Sequence, residues 1–328
     1  YTRYFPSDDI GQRLLTVLYM GAMILLAFEI HAVTGSTATV FILSYAATKF
    51  ILALMYGRAA LQYPEYRSLT SHYSLLYLLL GLFWIAIALL APTNFWLWGV
   101  AVLIDVLIPL FIRWSHQARR RPMSNRPPLK HHYMLHRFGE LTIIVLGEFF
   151  IKLVATSSGY ELAPFNIIIG ACLLAVSVSL WWLYFDHTDH IQLEKEQTRP
   201  VVWIYTHYFL LCAITAYGVV GTKVFAALPG EVLSQEKRML LGVALATALL
   251  ALGVIDWASP EKGNPFSRRS HFTIRMVAAA IMLLLAFLGG QMGVGLLISL
   301  VMMVMVVQVG IDIGLRLRNK DGGRKVVA

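Results

Sequence analysis

Charged side chains are scarce in this sequence. Asp, Glu, Lys and Arg make up 14% of its 328 residues, whereas 58% are hydrophobic. A soluble globular protein carries about 25% charged residues, and its surface helices need a polar face that repeats at helical period. Most apolar segments of this chain have no such face, and the mean hydropathy is +0.67. The composition therefore excludes a soluble globular protein and predicts a membrane protein.

Cysteines are nearly absent, and the usual enzyme fingerprints are missing. The two cysteines, Cys172 and Cys212, lie inside apolar segments, where we expect them to pack as small hydrophobic residues and not to form a disulfide. The sequence holds no Walker A motif, G-x-S-x-G elbow, H-E-x-x-H zinc motif or dinucleotide fingerprint. Direct ATP-driven pumping and ordinary hydrolase chemistry therefore have no support. We predict no cofactor, and we do not expect an enzyme.

The chain instead contains apolar runs of membrane-spanning length. A helix needs about 20 residues to cross roughly 30 Å of hydrocarbon. Reading the runs between polar breaks predicts an all-α polytopic membrane protein with a single transmembrane domain over residues 1–328. About ten transmembrane helices are predicted, over residues 10–33, 37–59, 69–91, 95–114, 133–157, 163–187, 201–226, 239–257, 271–289 and 294–316.

The net charge of +9 comes from basic residues that concentrate on one side of the predicted membrane. Most of the 27 Lys and Arg residues lie in the N-terminal segment, in every second loop and in the C-terminal tail. Because cytoplasmic loops are enriched in Lys and Arg, we predict that both visible termini are cytoplasmic. The basic loop at 115–132 is either a solvated topology anchor or a docking site for anionic lipid or a partner, and the tail at 317–328 is also basic. Nucleic acid is not an expected partner.

The fifth predicted helix is apolar and yet rich in ionisable side chains. It contains the stretch HRFGELTIIVLGEFFIKL at 136–153. At about 100° per residue, its ionisable side chains fall within one arc of about 160°. A charged residue near the bilayer centre costs about 2.5–3.5 kcal/mol, so such groups usually face a bundle interior or water. We therefore expect an inward-facing polar arc that consists of His136, Arg137, Glu140, Glu148 and Lys152.

Glu148 and Lys152 form the deepest pair of this polar arc. They carry opposite charges at i, i+4 spacing, as do protonated His136 and Glu140. Glu148 lies about 18 Å along the helix from His136, well inside the hydrocarbon. A carboxylate in that position is a candidate proton carrier, and the alternative is a structural ion pair that fixes helix packing. Gly147 is close to His136 in angle, which leaves room for a neighbouring helix.

Two residues of the next helices are expected at the depth of His136 and Glu140. Asp186 ends helix 6 at the cytoplasmic boundary, and His207 lies about two turns into helix 7. These four side chains could converge on the cytoplasmic half of one site. A proton relay, a divalent metal site and haem ligation by paired histidines all fit such a cluster. No spacing matches a defined metal or haem motif, so a relay is the least demanding interpretation.

Isolated polar residues lie in three other predicted helices. Lys49 is in helix 2, Asp105 is in helix 4 near Pro109, and Gln308 and Asp312 are in the last helix. Pro109 indicates a kink that re-exposes backbone carbonyls. An interpretation of Lys49 as a Schiff-base lysine for a chromophore has no other feature to support it.

Several motifs resemble those of one known family. RFGELTIIVLGE at 137–148 resembles the signature of the bacterial low temperature requirement A (LtrA) family, which reads Glu-Arg-x-Gly, a short apolar run, then Leu-Gly-Glu. An F-P-S-D-D-x-x-x-R segment at 5–13, WWLYFD at 181–186 and YTHYF at 205–209 also resemble family motifs, in the right order. The residues that carry the family motifs are Asp8, Asp9, Arg13, Gly139 and Gly147.

The chain departs from the family pattern in two places. The family commonly has Glu at the position of His136 and His at that of Tyr133, so His132 and Glu140 are either compensating shifts or signs of an altered site. The family's acidic and aromatic N-terminal segment is absent, and about two further helices are expected before Tyr1. The resemblance implies a bacterial inner-membrane protein, but the family has no settled biochemical activity.

Three functional hypotheses follow. The first is proton-coupled transport or ion permeation of an unknown small solute or ion, with Glu148 as the titrating carboxylate and Lys152 as its modulating charge. The relay or binding site would then contain the remaining candidates: His136, Arg137, Glu140, Asp186 and His207. The second is a non-transporting scaffold or accessory subunit, and the third is an intramembrane metal or haem redox protein. The lipid bilayer is the one firm partner, with partner proteins or a homo-oligomer left open.

Overall fold

The computed structural model describes residues 9–33, 35, 38–118, 131–158, 163–188, 199–258 and 265–324. Within these ranges the chain is helical, and the β pairing consists of an isolated bridge between Val232 and Gly293. The prediction of an all-α fold is confirmed. The helices are α1 (Ile10–Phe28), α2 (Ala38–Gln62), α3 (Arg67–Leu90), α4 (Phe95–Ala118), α5 (His131–Ser157), α6 (Pro164–Thr188), α7 (Arg199–Phe225), α8 (Gln235–Ala258), α9 (Pro265–Leu288) and α10 (Val294–Arg324).

Nine of the ten helices in this described part of the chain are long and apolar enough to cross a membrane. The exception is α5, whose 27 residues would extend about 40 Å but which contains four charged residues, Arg137, Glu140, Glu148 and Lys152. The predicted positions hold for all ten helices. The chain is therefore a polytopic membrane protein, as its composition indicates.

Helix ends differ from the predicted ones where a helix continues beyond its apolar stretch. Helix α9 begins at Pro265, six residues earlier than predicted, because proline is well tolerated at the first helical position. Helix α10 continues to Arg324, whereas its membrane-spanning stretch is Val294–Leu315. Helix α1 ends early, at Phe28, where the chain tightens into a 3-10 turn over Glu29–Ala32. Apolar runs thus mark the part of a helix in hydrocarbon and not its full length.

The chain forms two compact units, Tyr1–Lys130 and His131–Ala328. The division falls within the predicted basic loop at 115–132, most of which lies outside the described residues. In the first unit, α2 packs along α3, α1 packs against α2, and α4 packs against α3. Trp84 and Ile87 of α3 lie in the core of this unit, at 1% and 2% exposure.

Helix α8 lies at the centre of the second unit, between α7 and α9. A Cβ atom on Gly242 would lie 2.4 Å from Ala286 Cβ and 2.8 Å from the Met282 carbonyl oxygen, so the backbones of α8 and α9 are nearly in contact. Small residues allow this approach, which membrane helices use for packing. Helix α10 packs against α6 and α9, and α5 packs mainly against α7.

Candidate functional site

The polar arc of α5 lies on the surface of the second unit. The side chains of Glu148 and Lys152 are 56% and 46% exposed, and Lys152 Nζ lies 3.4 Å from Glu148 Oε1. His136 and Glu140 are also exposed, with 3.2 Å between His136 Nδ1 and Glu140 Oε1. Arg137 is exposed as well. Both predicted i, i+4 pairs are therefore present, but neither is enclosed by the second unit.

The opposite side of α5 packs against α7. Thr142, Leu146 and Phe149 are buried there, and the ring of Phe149 fills the space that Gly218 and Gly221 leave open. A Cβ atom on Gly221 would come within 2.7 Å of that ring. Because helices in lipid associate through close van der Waals packing, this complementary apolar face determines which way α5 turns. Within the second unit, the polar arc therefore faces away from the packed side of α5, and an inward position in the whole bundle stays a prediction.

His207 is fully buried in an aromatic cluster. Its Nδ1 lies 2.7 Å from the Trp203 carbonyl oxygen, and its Nε2 lies 3.2 Å from the Tyr184 hydroxyl oxygen. The rings of Trp203 and Phe138 have centroids 3.9 and 4.6 Å from that of His207. A neutral imidazole that donates from Nδ1 and accepts at Nε2 uses both nitrogens in these contacts. Phe138 reaches His207 from the packed side of α5, so the structure does not bring the polar arc to this histidine.

The other predicted residues of the second unit are dispersed. Asp186 is partly buried near the end of α6. Gly139 lies against Phe185, whose ring would be 3.3 Å from an added Cβ atom. Around Gly147, none of the described atoms lies within 4 Å of an added Cβ atom, so the structure gives no sign of the helix approach predicted at this position. The expected convergence of His136, Glu140, Asp186 and His207 is not present in the second unit.

The N-terminal family motif has a structural role in the first unit. The Asp9 carboxylate accepts a hydrogen bond from the Gln12 backbone N–H at 2.9 Å and thereby caps α1. The same carboxylate lies 2.5 Å from Arg58 Nη2 of α2. Arg13 is exposed, and Asp8 lies outside the described residues. The motif therefore fixes the start of α1 on α2.

Four ionisable side chains form a buried network between α8, α9 and α10. Arg275 Nε lies 2.7 Å from Asp256 Oδ2, and Arg275 Nη2 lies 3.3 Å from Asp312 Oδ2. His271 Nδ1 lies 3.1 Å from the other Asp312 oxygen, Oδ1. The side chains of Arg275 and Asp312 are 1% and 2% exposed, and those of Asp256 and His271 are 5% and 7% exposed. We call these four residues the buried network.

The buried network lies near one end of the membrane-spanning stretches. Asp256 precedes the end of α8 at Ala258, and His271 is the first residue of the span in α9. Gly253, one turn before Asp256, leaves room for the stem of Arg275, because an added Cβ atom would be 3.5 Å from Arg275 Cβ. Gly253 of α8 thus makes space for Arg275 of α9, whose two carboxylate partners come from α8 and α10.

The first unit has a separate ion pair in the middle of its helices. Lys49 Nζ of α2 donates to Asp105 Oδ2 of α4 at 2.5 Å, and the Tyr45 hydroxyl donates to the same oxygen at 2.8 Å. The ammonium also lies 4.4 Å from the centroid of the Tyr45 ring, which is a cation–π distance. The side chains of Lys49 and Asp105 are 7% and 17% exposed. The ammonium is therefore paired with a carboxylate.

Comparison with protein families gives a match over most of the chain. The family described as "Bacterial low temperature requirement A protein (LtrA)" matches residues 1–310. This chain belongs to the LtrA family. No curated protein and no solved structure matches it. The match covers α1 to α9 and most of α10, and it ends just before Asp312.

In this LtrA protein, the residues that make up the family signature and the residues that form the buried network are different. The charged signature residues of α5, Arg137, Glu140 and Glu148, are exposed on the second unit, whereas the buried network comes from helices that the motifs do not cover. The sequence patterns single out neither Arg275 nor Asp256. The i, i+4 spacing of His271 and Arg275, opposite Asp312 in the next helix, is the signal that could have revealed the network.

Metal ligation has no site in the described ranges of this LtrA chain. The described His, Cys, Asp and Glu side chains form no group of three or more that could hold a metal ion. The hypothesis of an intramembrane metal or haem protein therefore gains no geometric support from this part of the chain.

Proposed function

We propose that this LtrA protein transports protons, or a small solute or ion coupled to protons, and that the buried network is its titrating site. The observation that carries the proposal is the burial of Asp256, His271, Arg275 and Asp312, none of which is more than 7% exposed. Ionisable side chains inside a membrane protein are costly and typically mark ion or substrate pathways. Packing alone is often served as well by apolar side chains of similar volume.

The charges of the network accommodate one additional proton. Two ionised carboxylates and one guanidinium carry a net negative charge while His271 is neutral. A proton on His271 or on a carboxylate makes the network electrically neutral. Binding or release of one proton therefore switches the network between a neutral and a net negative state.

Asp312 links protonation to helix packing. It contacts both His271 and Arg275 of α9 and is the network's contribution from α10. A proton on Asp312 would weaken its attraction for Arg275, which keeps its closer partner Asp256 on α8. Helix α10 would then be held less firmly, while α8 and α9 stay joined. This asymmetry supports α10 as the helix that responds to proton binding.

This proposal moves the titrating role away from α5. Glu148 is 56% exposed and is not enclosed by the second unit. A carboxylate that carries protons across a membrane needs surrounding groups that control its protonation. Lys152 shares this exposed position. We therefore assign the titrating role to Asp312, and we do not place His207 in the relay because both of its ring nitrogens are used in packing contacts.

The experiment is a flux measurement in proteoliposomes under an imposed pH gradient, with internal pH read from a trapped dye. Asp312→Asn should abolish proton movement, because the amide keeps the shape of the side chain but does not titrate. Glu148→Gln is the matched control, an acid-to-amide change on the exposed arc, and it should retain the wild-type rate. Wild-type flux in a correctly folded Asp312→Asn protein would refute the assignment.

A second candidate function is that of a scaffold or accessory subunit. The observation that favours it is the exposure of Glu148 and Lys152 within a long and otherwise apolar helix. A polar membrane partner on that face would compensate these charges. Gentle detergent purification should then yield a stable complex that Glu148→Gln with Lys152→Gln disperses, and vesicles with the protein should show no flux. Recovery of the protein alone, with proton flux, would contradict this candidate.

We further propose that the protein lies in the bacterial inner membrane with both visible termini in the cytoplasm. The distribution of Lys and Arg supports this orientation, because basic loops are retained on the cytoplasmic side. Reporter fusions at the C-terminal tail and at the turn near Gly230 test it, since the two positions should report opposite sides of the membrane.

A further inference from the structure

Helices α9 and α10 have a register that places Arg275 opposite Gln308. The short connection between Leu288 and Val294 makes the two helices antiparallel neighbours. His271 of α9 meets Asp312 of α10 at 3.1 Å. Arg275 of α9 and Gln308 of α10 each lie one turn deeper in the membrane than this contact.

Among the residues that the structure describes, Arg275 and Gln308 each have a buried polar atom that finds no hydrogen-bond partner. Arg275 Nη1 and Gln308 Oε1 make no hydrogen bond to any residue that the structure describes. Gln308 is 5% exposed and Arg275 is 1% exposed. Buried polar groups are almost always satisfied, by protein or by ordered water. An unsatisfied donor and an unsatisfied acceptor on adjacent helices at one depth point to a shared missing partner.

We propose that Arg275 and Gln308 bind ordered water between α9 and α10. The partner must accept from an N–H and donate to a carbonyl oxygen, and water does both. Buried waters occupy polar sites where two to four groups can bond to them. Arg275 Nη1 and Gln308 Oε1 supply two such groups, and the Asp312 carboxylate is one turn from Gln308 on the same helix.

This inference deepens the proposed function, on which its role in transport rests. Gln308 lies deeper in the membrane than Asp312, so bound water extends the buried network from the membrane boundary toward the bilayer centre. A proton that reaches Asp312 then has a hydrogen-bonded path past Gln308. Gln308 is a positioning residue for this water and does not itself titrate.

X-ray radiolytic footprinting of the purified full chain tests the water site, because radiolysis of a bound water produces a hydroxyl radical that oxidises the nearest side chains. Met305 is the reporter. It is 0% exposed and precedes Gln308 by about one turn on α10. Met134 of α5, which is 3% exposed, and Met282 of α9, which is 1% exposed, are matched buried controls. We expect Met305 to be oxidised well above both controls.

The variant Gln308→Leu separates a water held by Gln308 from one held elsewhere. It should reduce Met305 oxidation to the level of Met134. Oxidation of wild-type Met305 no greater than that of Met134 would overturn the inference, as would unchanged oxidation in a folded Gln308→Leu protein. The flux assay with Asp312→Asn is independent of this result. Loss of flux without Met305 oxidation leaves the proposed function standing and rejects the water site alone.

Discussion

Arg275 Nε lies 2.7 Å from Asp256 Oδ2, and through this contact α9 is joined to α8 by two almost completely buried charges. The same guanidinium reaches Asp312 of α10 through Nη2 at 3.3 Å. One cation thus connects three helices. Because burial makes an isolated charge costly, the stability of the second unit depends on the balance of these charges and not on the arginine alone.

Removal of Arg275 alone should destabilise the second unit strongly. Arg275→Leu leaves two buried carboxylates without their cation, and breaking a buried pair in this way typically costs about 3–5 kcal/mol in free energy of unfolding. The measurement is thermal unfolding of the purified protein in detergent. The double variant Arg275→Leu with Asp312→Leu restores the original charge balance, and we expect it to be clearly more stable than Arg275→Leu. A double variant that unfolds earlier than the single one would contradict the charge-balance argument.

The ion pair of the first unit should behave in the same way. Lys49→Met leaves Asp105 as a largely buried carboxylate that still accepts a hydrogen bond from the Tyr45 hydroxyl. Lys49→Met with Asp105→Leu should recover stability. Tyr45→Phe removes one neutral donor and should cost about 0.5–1.5 kcal/mol, less than the loss of the ammonium. Equal thermal stabilities for Lys49→Met and Tyr45→Phe would indicate that the ammonium is not held as the structure shows.

The close approach of α8 and α9 gives a test of packing that does not depend on charge. Gly242→Val places a branched side chain where a Cβ atom already lies 2.4 Å from Ala286 Cβ, and overpacking of this kind costs about 1–3 kcal/mol. Gly310→Ala of α10 is the control, since none of the described atoms lies within 4 Å of its added Cβ atom. We expect Gly310→Ala to leave the unfolding temperature unchanged or raise it. A harmless Gly242→Val would show that the two helices are further apart.

His207 should affect stability and not transport. His207→Phe keeps an aromatic ring among Trp203, Phe138 and Tyr184 but removes both hydrogen bonds of the imidazole. Leaving the Tyr184 hydroxyl without this partner should cost about 1–3 kcal/mol. Proton flux per folded molecule should remain at the wild-type level, measured with the same dye. A well-folded variant that has lost flux would return His207 to a proton relay.

The fold could be predicted from the sequence because the length of each apolar run shows whether it can cross a bilayer. Segments such as 163–187 and 294–316 are long enough to cross a bilayer, and α6 and α10 occupy them. The direction in which a membrane helix faces is harder to predict. In α5, the exposed polar arc and the packed side with Phe149 are equally visible in the sequence. Which side packs depends on Gly218 and Gly221 of α7. Their fit to Phe149 cannot be read from a helical wheel of α5 alone.

The buried network was hidden for a similar reason. Arg275 belongs by composition to the basic segment before α9, and positive charges at such positions usually mark topology. Its burial depends on partners that are close to it only in space, Asp256 and Asp312. A search for opposite charges at matching depths in consecutive helices would have found them, since short loops fix the register of antiparallel neighbours.

The most direct measurement is the transient current that follows a pH jump on a solid-supported membrane, because it reports proton binding without knowledge of any further substrate. We expect a charge displacement in the wild type and in Glu148→Gln, and none in Asp312→Asn. A displacement of wild-type size in folded Asp312→Asn, or its loss in Glu148→Gln, would contradict the claim that the buried network carries the proton.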